Sequence, residues 1–215
     1  MVLLFSGGID SFVAYHYLNK PQTVYFDLHT RYTEKEKIVV KKLIPSTIID
    51  DSLNLQSREY GDKAYVPFRN LLLACQAVKY SDEVVIVGLG DDKVSDKNEL
   101  AFQKFSTLLS ELENRNIVIQ SPFWKFTKEK VVKWYVDNIG DDLLLKTISC
   151  YSPGSENYCG ACPSCFRKWC ALRANGYDLK FHNDVLMQQY YADAVNNKYI
   201  KERCLSIIRE VDAYK

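Results

Sequence analysis

Two groups of residues in this chain have the types and spacing to do chemistry. The first is Ser6-Gly7-Gly8-Ile9-Asp10-Ser11, flanked by Phe5 and Phe12. It follows an apolar run and precedes a helical pattern. Glycines let a backbone approach a ligand that a Cβ would block. Open N–H groups at a helix N-terminus, together with the helix dipole, favour an anion. Ser6 and Ser11 add hydroxyl donors. Asp10 is out of place in an anion site unless a cation comes too, as Mg²⁺ does with nucleotide phosphates. No lysine follows the last glycine, so the loop is not a Walker A loop and γ-phosphoryl transfer is disfavoured. The second group is Cys150, Cys159, Cys162 and Cys165, spaced C-x8-C-x2-C-x2-C. Four thiolates saturate a tetrahedral Zn²⁺ and leave no position for water, which makes such a site structural. An iron–sulfur cluster takes the same ligands and stays open as the alternative. Cys75, Cys170 and Cys204 read as apolar filler, with Cys170 a spare thiol near the site. His16, His29 and His182 form no triad or metal set by spacing.

The elements that must hold these groups alternate. Apolar runs at 2–5, 23–28, 46–50, 84–89 and 117–122 read as buried strands. Helical patterns fall at 10–19, 33–44, 69–80, 99–114 and 127–138, the last opening on Thr127 as an N-cap. This order predicts an α/β fold, a five-stranded parallel sheet with helices on both faces and right-handed crossovers. The glycine loop then lies at the carboxyl end of the first strand, where open α/β sheets bind ligands. After residue 140 the pattern changes to a cysteine-rich loop, a short helix and a tyrosine-rich helical tail. The expected organisation is a sheet domain at 1–140 and a small metal-bearing helical extension at 141–215.

The bulk properties are permissive. The chain has 215 residues and a formal net charge of +1, with no electrostatic bias toward nucleic acid. No apolar run approaches the roughly 18 residues of a membrane helix. The start lacks a charged n-region and cleavage site, so a cytoplasmic location is expected. Seven cysteines, an odd number and tightly clustered, fit a metal site in a reducing compartment better than a disulfide framework.

The glycine loop resembles the pyrophosphatase loop of ATP enzymes that cleave between the α and β phosphates. Taken with the cysteine motif, the chain resembles the 7-cyano-7-deazaguanine synthase family of deazapurine biosynthesis. "FSGGIDS" is similar to that family's ATP loop. "FDLHTRYTEKE" resembles its second-strand segment, with Asp27, Arg31 and Glu34 at matching places and His29-Thr30 where the family has Gly-Gln. "YVPFRN" carries Pro67, Arg69 and Asn70. "GLGDDKVSDKNELAF" offers Asp92, Asp96 and Phe102, "FTKEKVV" offers Lys128, and "SCYSPGSENYCGACPSCFRK" carries the cysteines and Arg167.

The resemblance implies a Rossmann-like fold of the adenine nucleotide alpha hydrolase type. It implies a ligase that uses ATP to turn 7-carboxy-7-deazaguanine and ammonia into the nitrile, releasing AMP and pyrophosphate. Phe5, Ser6, Gly7, Gly8, Ile9, Asp10, Ser11 and Phe12 would then contact the nucleotide. Arg69 and Lys128 are the candidates for carboxylate or phosphate contacts. ATP, Mg²⁺ and Zn²⁺ are the expected cofactors, with no nucleic acid or membrane partner, and the family resemblance points weakly to a homodimer. Three alternatives remain at this level: a family member stopping at the amide, a tRNA-thiolating loop ATPase, and a nucleotide- or zinc-binding module without turnover.

Overall fold

The structure, a computed structural model, describes residues 1–61, 65–150, 152 and 157–214. Most of the spacer between Cys150 and Cys159, residues 151 and 153–156, lies outside the described residues. Five short strands form one parallel sheet: β1 (Val2–Leu4), β2 (Gln22–Phe26), β3 (Ile48–Asp50), β4 (Glu83–Val85) and β5 (Val118–Gln120). Their order is β3-β2-β1-β4-β5, and each neighbouring pair is parallel. Between them run α1 (Ile9–Tyr17), α2 (Thr33–Leu43), α3 (Arg69–Ala77) and α4 (Glu99–Glu113), and α5 (Lys128–Asn138) follows β5.

The strand order explains where a site can form. The chain winds outward from β1 through β2 to β3, then crosses back to β4 on the other side of β1. Successive loops diverge at that reversal and leave a crevice at the carboxyl ends of β1 and β4.

The two sheet faces carry separate cores, as alternating strand side chains require. On one face Leu3, Tyr25 and Val85 pack with Phe12 and Val13 of α1, Val40 of α2, and Val131 and Tyr135 of α5. On the other, Val2, Val24 and Val84 pack with Ala74 and Ala77 of α3 and Phe102 and Leu109 of α4. The fold class expected from sequence is therefore the one found.

The strands are shorter than the apolar runs. The run at 84–89 yields only β4 as regular strand, and a serine is the cause. Ser121 Oγ accepts the Gly88 N–H at 3.0 Å and donates to the Gly88 carbonyl at 2.7 Å, so a side chain replaces the ladder there. A Cβ on Gly88 would lie 2.2 Å from the Trp124 ring, so only glycine admits that indole. The tyrosine-rich tail is helical, as expected, and forms two helices, α7 (Asp184–Val195) and α8 (Lys201–Asp212). The break falls at Asn196 and Asn197, the latter with φ of 56°. Asparagine tolerates this left-handed conformation better than most residues.

After the cysteine loop comes α6 (Pro163–Arg173), whose N-cap is Cys162. This helix serves two cores. Ala171 and Leu172 join the sheet-face cluster, while Cys165, Phe166, Trp169 and Cys170 join a third core with Met187, Ile207 and Val211 from α7 and α8. The tyrosine side of the tail covers this core: Tyr190 stacks on Phe166 with ring centres 4.5 Å apart. No described helix is long and apolar enough to cross a membrane.

Candidate active site and metal centre

The glycine loop connects β1 to α1. Gly7 has φ of +70°, a conformation that side chains rarely adopt. Gly8 is the N-cap of α1, and no side chain caps the helix. The loop is tied down around, not across, its mouth. Ser11 Oγ donates to the Gly8 carbonyl at 3.1 Å, Ser6 Oγ lies 3.3 Å from Ser11 Oγ, and Gly8 N–H reaches Ser6 Oγ at 3.4 Å. The Gly7 carbonyl accepts the N–H of Ile148 at 2.8 Å. The open first turn of α1 therefore faces a cavity of about 300 Å³ with an anion-binding helix end at its floor.

The cavity gathers residues that are far apart in sequence. Phe5, Ser6, Gly8, Ile9, Asp10 and Ser11 line it, with Arg69, Asn70, Lys97, Lys128 and Arg167. Gly7 and Phe12 do not. Gly7 turns the chain behind the loop, and Phe12 lies in the sheet-face core. Lys128 is the first residue of α5 and is 9 % exposed. Its Nζ lies 2.6 Å from both carboxylate oxygens of Asp10. The cation that the sequence demanded beside Asp10 is, in this structure, that ammonium. Burial lowers the affinity of Lys128 for its proton, against the pull of Asp10.

Two further charge sets tie the loop after β4 to its neighbours. Arg167 of α6 reaches Asp91 at 2.8 Å and Asp92 at 2.6 Å. Lys97 also pairs with Asp92 at 2.9 Å. Burial works against ionising Asp92, but Lys97 and Arg167 outweigh it and hold the group well below the usual carboxylate range. Asp96 accepts both the backbone N–H and the side-chain amide of Asn70, at 3.1 and 2.9 Å. Motifs noted separately in the sequence thus meet in pairs: Asp10 with Lys128, Asp92 with Arg167, Asn70 with Asp96.

Other noted residues lie elsewhere. Arg31 pairs with Glu59 and bonds the Gly61 carbonyl; Glu34 pairs with Lys37, which also holds Asp27. None of Asp27, Arg31 and Glu34 lines the cavity. Phe102 is core. His16 is packed edge-on among Phe12, Tyr15 and Tyr135, and His29 is largely exposed.

The sequence reading missed Glu36. Its carboxylate is on the cavity wall, where Tyr25 Oη donates to it at 2.9 Å. Burial pushes its pKa up to about 7, opposed by the Tyr25 hydrogen bond and by Arg69. Its place on a lysine-rich helix disguised it as one more solvated charge. Lys168 was missed too, although a signal existed. Cys165, Trp169 and Leu172 mark a buried stripe at i, i+4 and i+7, and Lys168 falls on it at i+3.

Cys150, also on the cavity wall, belongs to the cysteine group. The sulfurs of Cys150, Cys159, Cys162 and Cys165 all lie within 4.8 Å of one another. Zinc with sulfur at about 2.3 Å puts tetrahedral corners about 3.8 Å apart. Cys159 and Cys165 show that separation, 3.8 Å. A four-iron cube would spread the thiolates farther, so the set fits a single tetrahedral ion. Backbone N–H groups of Ser152, Ala161 and Cys165 point at Cys150, Cys159 and Cys162, each at 3.4 Å, as second-layer donors to thiolates do. Gly160 makes the turn with φ of +66°, and a Cβ there would lie 2.8 Å from the His182 ring. Cys75 is exposed; Cys170 and Cys204 are buried among apolar groups.

A family model described as queuosine biosynthesis protein QueC matches residues 37–178. That range takes in Arg69, Lys128, Arg167 and all four clustered cysteines, while the glycine loop precedes it. The chain is 26 % identical to a 7-cyano-7-deazaguanine synthase 2 of Sulfurisphaera tokodaii, over 82 % of this chain and 46 % of that protein. It is 27 % identical to the 7-cyano-7-deazaguanine synthase of Saccharolobus solfataricus, over 82 % and 46 %. With the 7-cyano-7-deazaguanine synthase of Psychromonas ingrahamii it shares 26 % identity over 82 % and 94 %. The matched region thus spans about half the length of the Sulfurisphaera and Saccharolobus relatives and nearly all of the Psychromonas one.

Proposed function

Because the chain belongs to the queuosine biosynthesis family matched by its residues 37–178, we propose that it forms 7-cyano-7-deazaguanine from 7-carboxy-7-deazaguanine and ammonia, using ATP. The observation that carries this reading is the uncapped N-terminus of α1. It opens onto a cavity whose wall also presents Arg69, Lys128 and Arg167. A carboxylate is a poor electrophile and its oxygen a poor leaving group. Transfer of AMP to that oxygen, with loss of pyrophosphate, supplies the leaving group. Attack by ammonia then gives an amide and AMP. A second adenylation, on the amide oxygen, allows elimination to the nitrile.

The residues divide this work by chemistry. Backbone N–H groups of the loop bind phosphate, with Mg²⁺ carried in on the nucleotide. Phe5, Ser6, Gly8, Ile9, Asp10 and Ser11 form the nucleotide floor, while Gly7 and Phe12 shape it from behind. Lys128 neutralises Asp10 beneath the phosphates. Arg69 is free of ion pairs among the described residues and faces the substrate carboxylate. Such fixed charges hold two anions face to face and stabilise the charge that develops between them. Cys150, Cys159, Cys162 and Cys165 would hold Zn²⁺, which has no open position and so braces structure. A thiolating enzyme would need a sulfur-carrying cysteine at the loop. Among the described residues lining the cavity, the only cysteine is Cys150, one of the metal set.

The test uses substrate labelled with heavy oxygen in its carboxylate, with nucleotide and deazapurine masses followed together. The expected result is label in AMP, with about two AMP per nitrile, one for each oxygen removed. One AMP per product, with the amide accumulating, would replace the nitrile reading by the amide one. Label in inorganic phosphate alongside ADP would reject adenylation.

A further inference from the structure

We infer that residues 147–150 form a strut that makes metal occupancy and nucleotide affinity depend on each other, with Lys168 as its positioning residue. This rests on the nucleotide and metal readings above. The strut is held at three points. At one end Lys168 Nζ donates to the Thr147 carbonyl at 2.7 Å and bonds Thr147 Oγ1 at 2.9 Å. In the middle, Ile148 N–H donates to the Gly7 carbonyl at 2.8 Å. The Ile148 carbonyl oxygen also stands 3.4 Å from where a Cβ on Gly8 would be. At the other end, Cys150 enters the thiolate cluster. Ile148, Ser149 and Cys150 also line the cavity.

The left-handed Gly7 peptide therefore has its carbonyl fixed by a segment whose next anchor is a metal ligand two residues on. Gly7 itself does not touch the cavity, yet its carbonyl shares a peptide plane with the Gly8 N–H, so fixing the one sets where the other points. Lys168 is 1 % exposed, on the helix that carries Cys165. A buried ammonium is costly unless anions compensate it. Burial lowers the affinity of Lys168 for its proton, with Cys165 and Cys150 pulling against it and Lys128 adding to it. The helix that carries Cys165 thus also carries the residue that fixes the strut. A ligand that tightens the loop must then tighten the cluster, because coupling between two sites is reciprocal.

The experiment uses the purified full chain with its zinc content measured. Zinc release to the chelator 4-(2-pyridylazo)resorcinol is timed with and without saturating Mg²⁺-ATP, and ATP affinity is measured by calorimetry. Saturating ATP is expected to slow release by about fivefold or more, the lower range of ordinary coupling. Lys168→Met, shown to retain zinc, is expected to bind ATP about tenfold more weakly and to release zinc at a rate independent of ATP. If wild-type protein binds ATP but releases zinc at one rate regardless, the strut is refuted while the nucleotide reading stands. Wild-type affinity in zinc-loaded Lys168→Met refutes the role of Lys168. Should that variant fail to fold, the wild-type release rates decide alone. If wild-type protein binds no ATP at all, the nucleotide reading falls and the coupling with it.

Discussion

The glycine loop and the cysteine cluster both reach one cavity, the cluster through Cys150, and they are built on opposite plans. The loop is mostly backbone: N–H groups at a helix start, two glycines, and hydroxyls that bond to one another. Its charges are settled by residues from elsewhere, such as Lys128. The cluster is all side chain, with four sulfurs drawn within 4.8 Å of one another. It closes on itself. The loop is left open, with no side chain spent on capping the first turn of α1. Four thiolates around one ion would leave no donor unspent. The two ends should therefore fail differently when damaged.

The largest effect is expected at the cluster. Cys162→Ser removes a thiolate while leaving a side chain able to cap α6. For a structural site, metal-binding energy is folding energy, so the loss should be on the order of 4 kcal/mol or more. Metal analysis and thermal unfolding should show zinc and stability falling together. Iron in the native protein, or no metal, would remove the contrast altogether.

Gly8→Val should do the reverse. The Gly8 backbone, at φ −75° and ψ 158°, is one that valine adopts without strain. Its Cβ would meet the rotatable Ser6 hydroxyl at 3.2 Å. AMP formation should fall at least about 100-fold, as when transition-state donors are blocked, with thermal stability near wild type. Unchanged ATP affinity would show that the loop is only a turn.

Lys128→Met tests the join between the two plans. It strands the Asp10 carboxylate, whose side chain is 22 % exposed, at the cavity wall. Breaking a fully buried pair costs about 3–5 kcal/mol. Partial exposure reduces that here to about 2 kcal/mol. ATP affinity should fall with stability, and Lys128→Met/Asp10→Asn should recover most of the stability but not the activity.

The smallest effect concerns Glu36. Its pKa of about 7 in the fold lies above the ordinary value of 4.5. The folded state thus holds this proton more tightly than the unfolded chain does. That contribution is full below about pH 4.5 and is lost as pH rises through 7. Glu36→Gln keeps an acceptor for Tyr25 and should flatten the stability profile over that window. Screening by cavity water keeps the change at pH 8 to about 1 kcal/mol. An unaltered profile from pH 5 to 8 would place the carboxyl in free solvent.

Much of this molecule was legible in its sequence. Each strand and helix of the sheet layer announces itself by apolar period, because burial on one face or two dictates the spacing. Ser6 to Ser11 and the four cysteines were readable because their chemistry is local: a loop between two elements, and three thiols within seven residues. Even Thr127 declared its cap, accepting the Lys130 N–H.

Tertiary structure alone decided the partners. Nothing in "GGIDS" says that Asp10 will meet a lysine 118 residues later, nor in "LGDD" that Asp91 and Asp92 will meet an arginine in α6. Charges have no period, and a solvated lysine and a buried one are spelled alike. The strut at 147–150 was invisible for a related reason. Its bond to the glycine loop runs through main-chain groups that every residue but proline carries, so what sets Ile148 against Gly7 is the path of the chain and not the identity of a side chain.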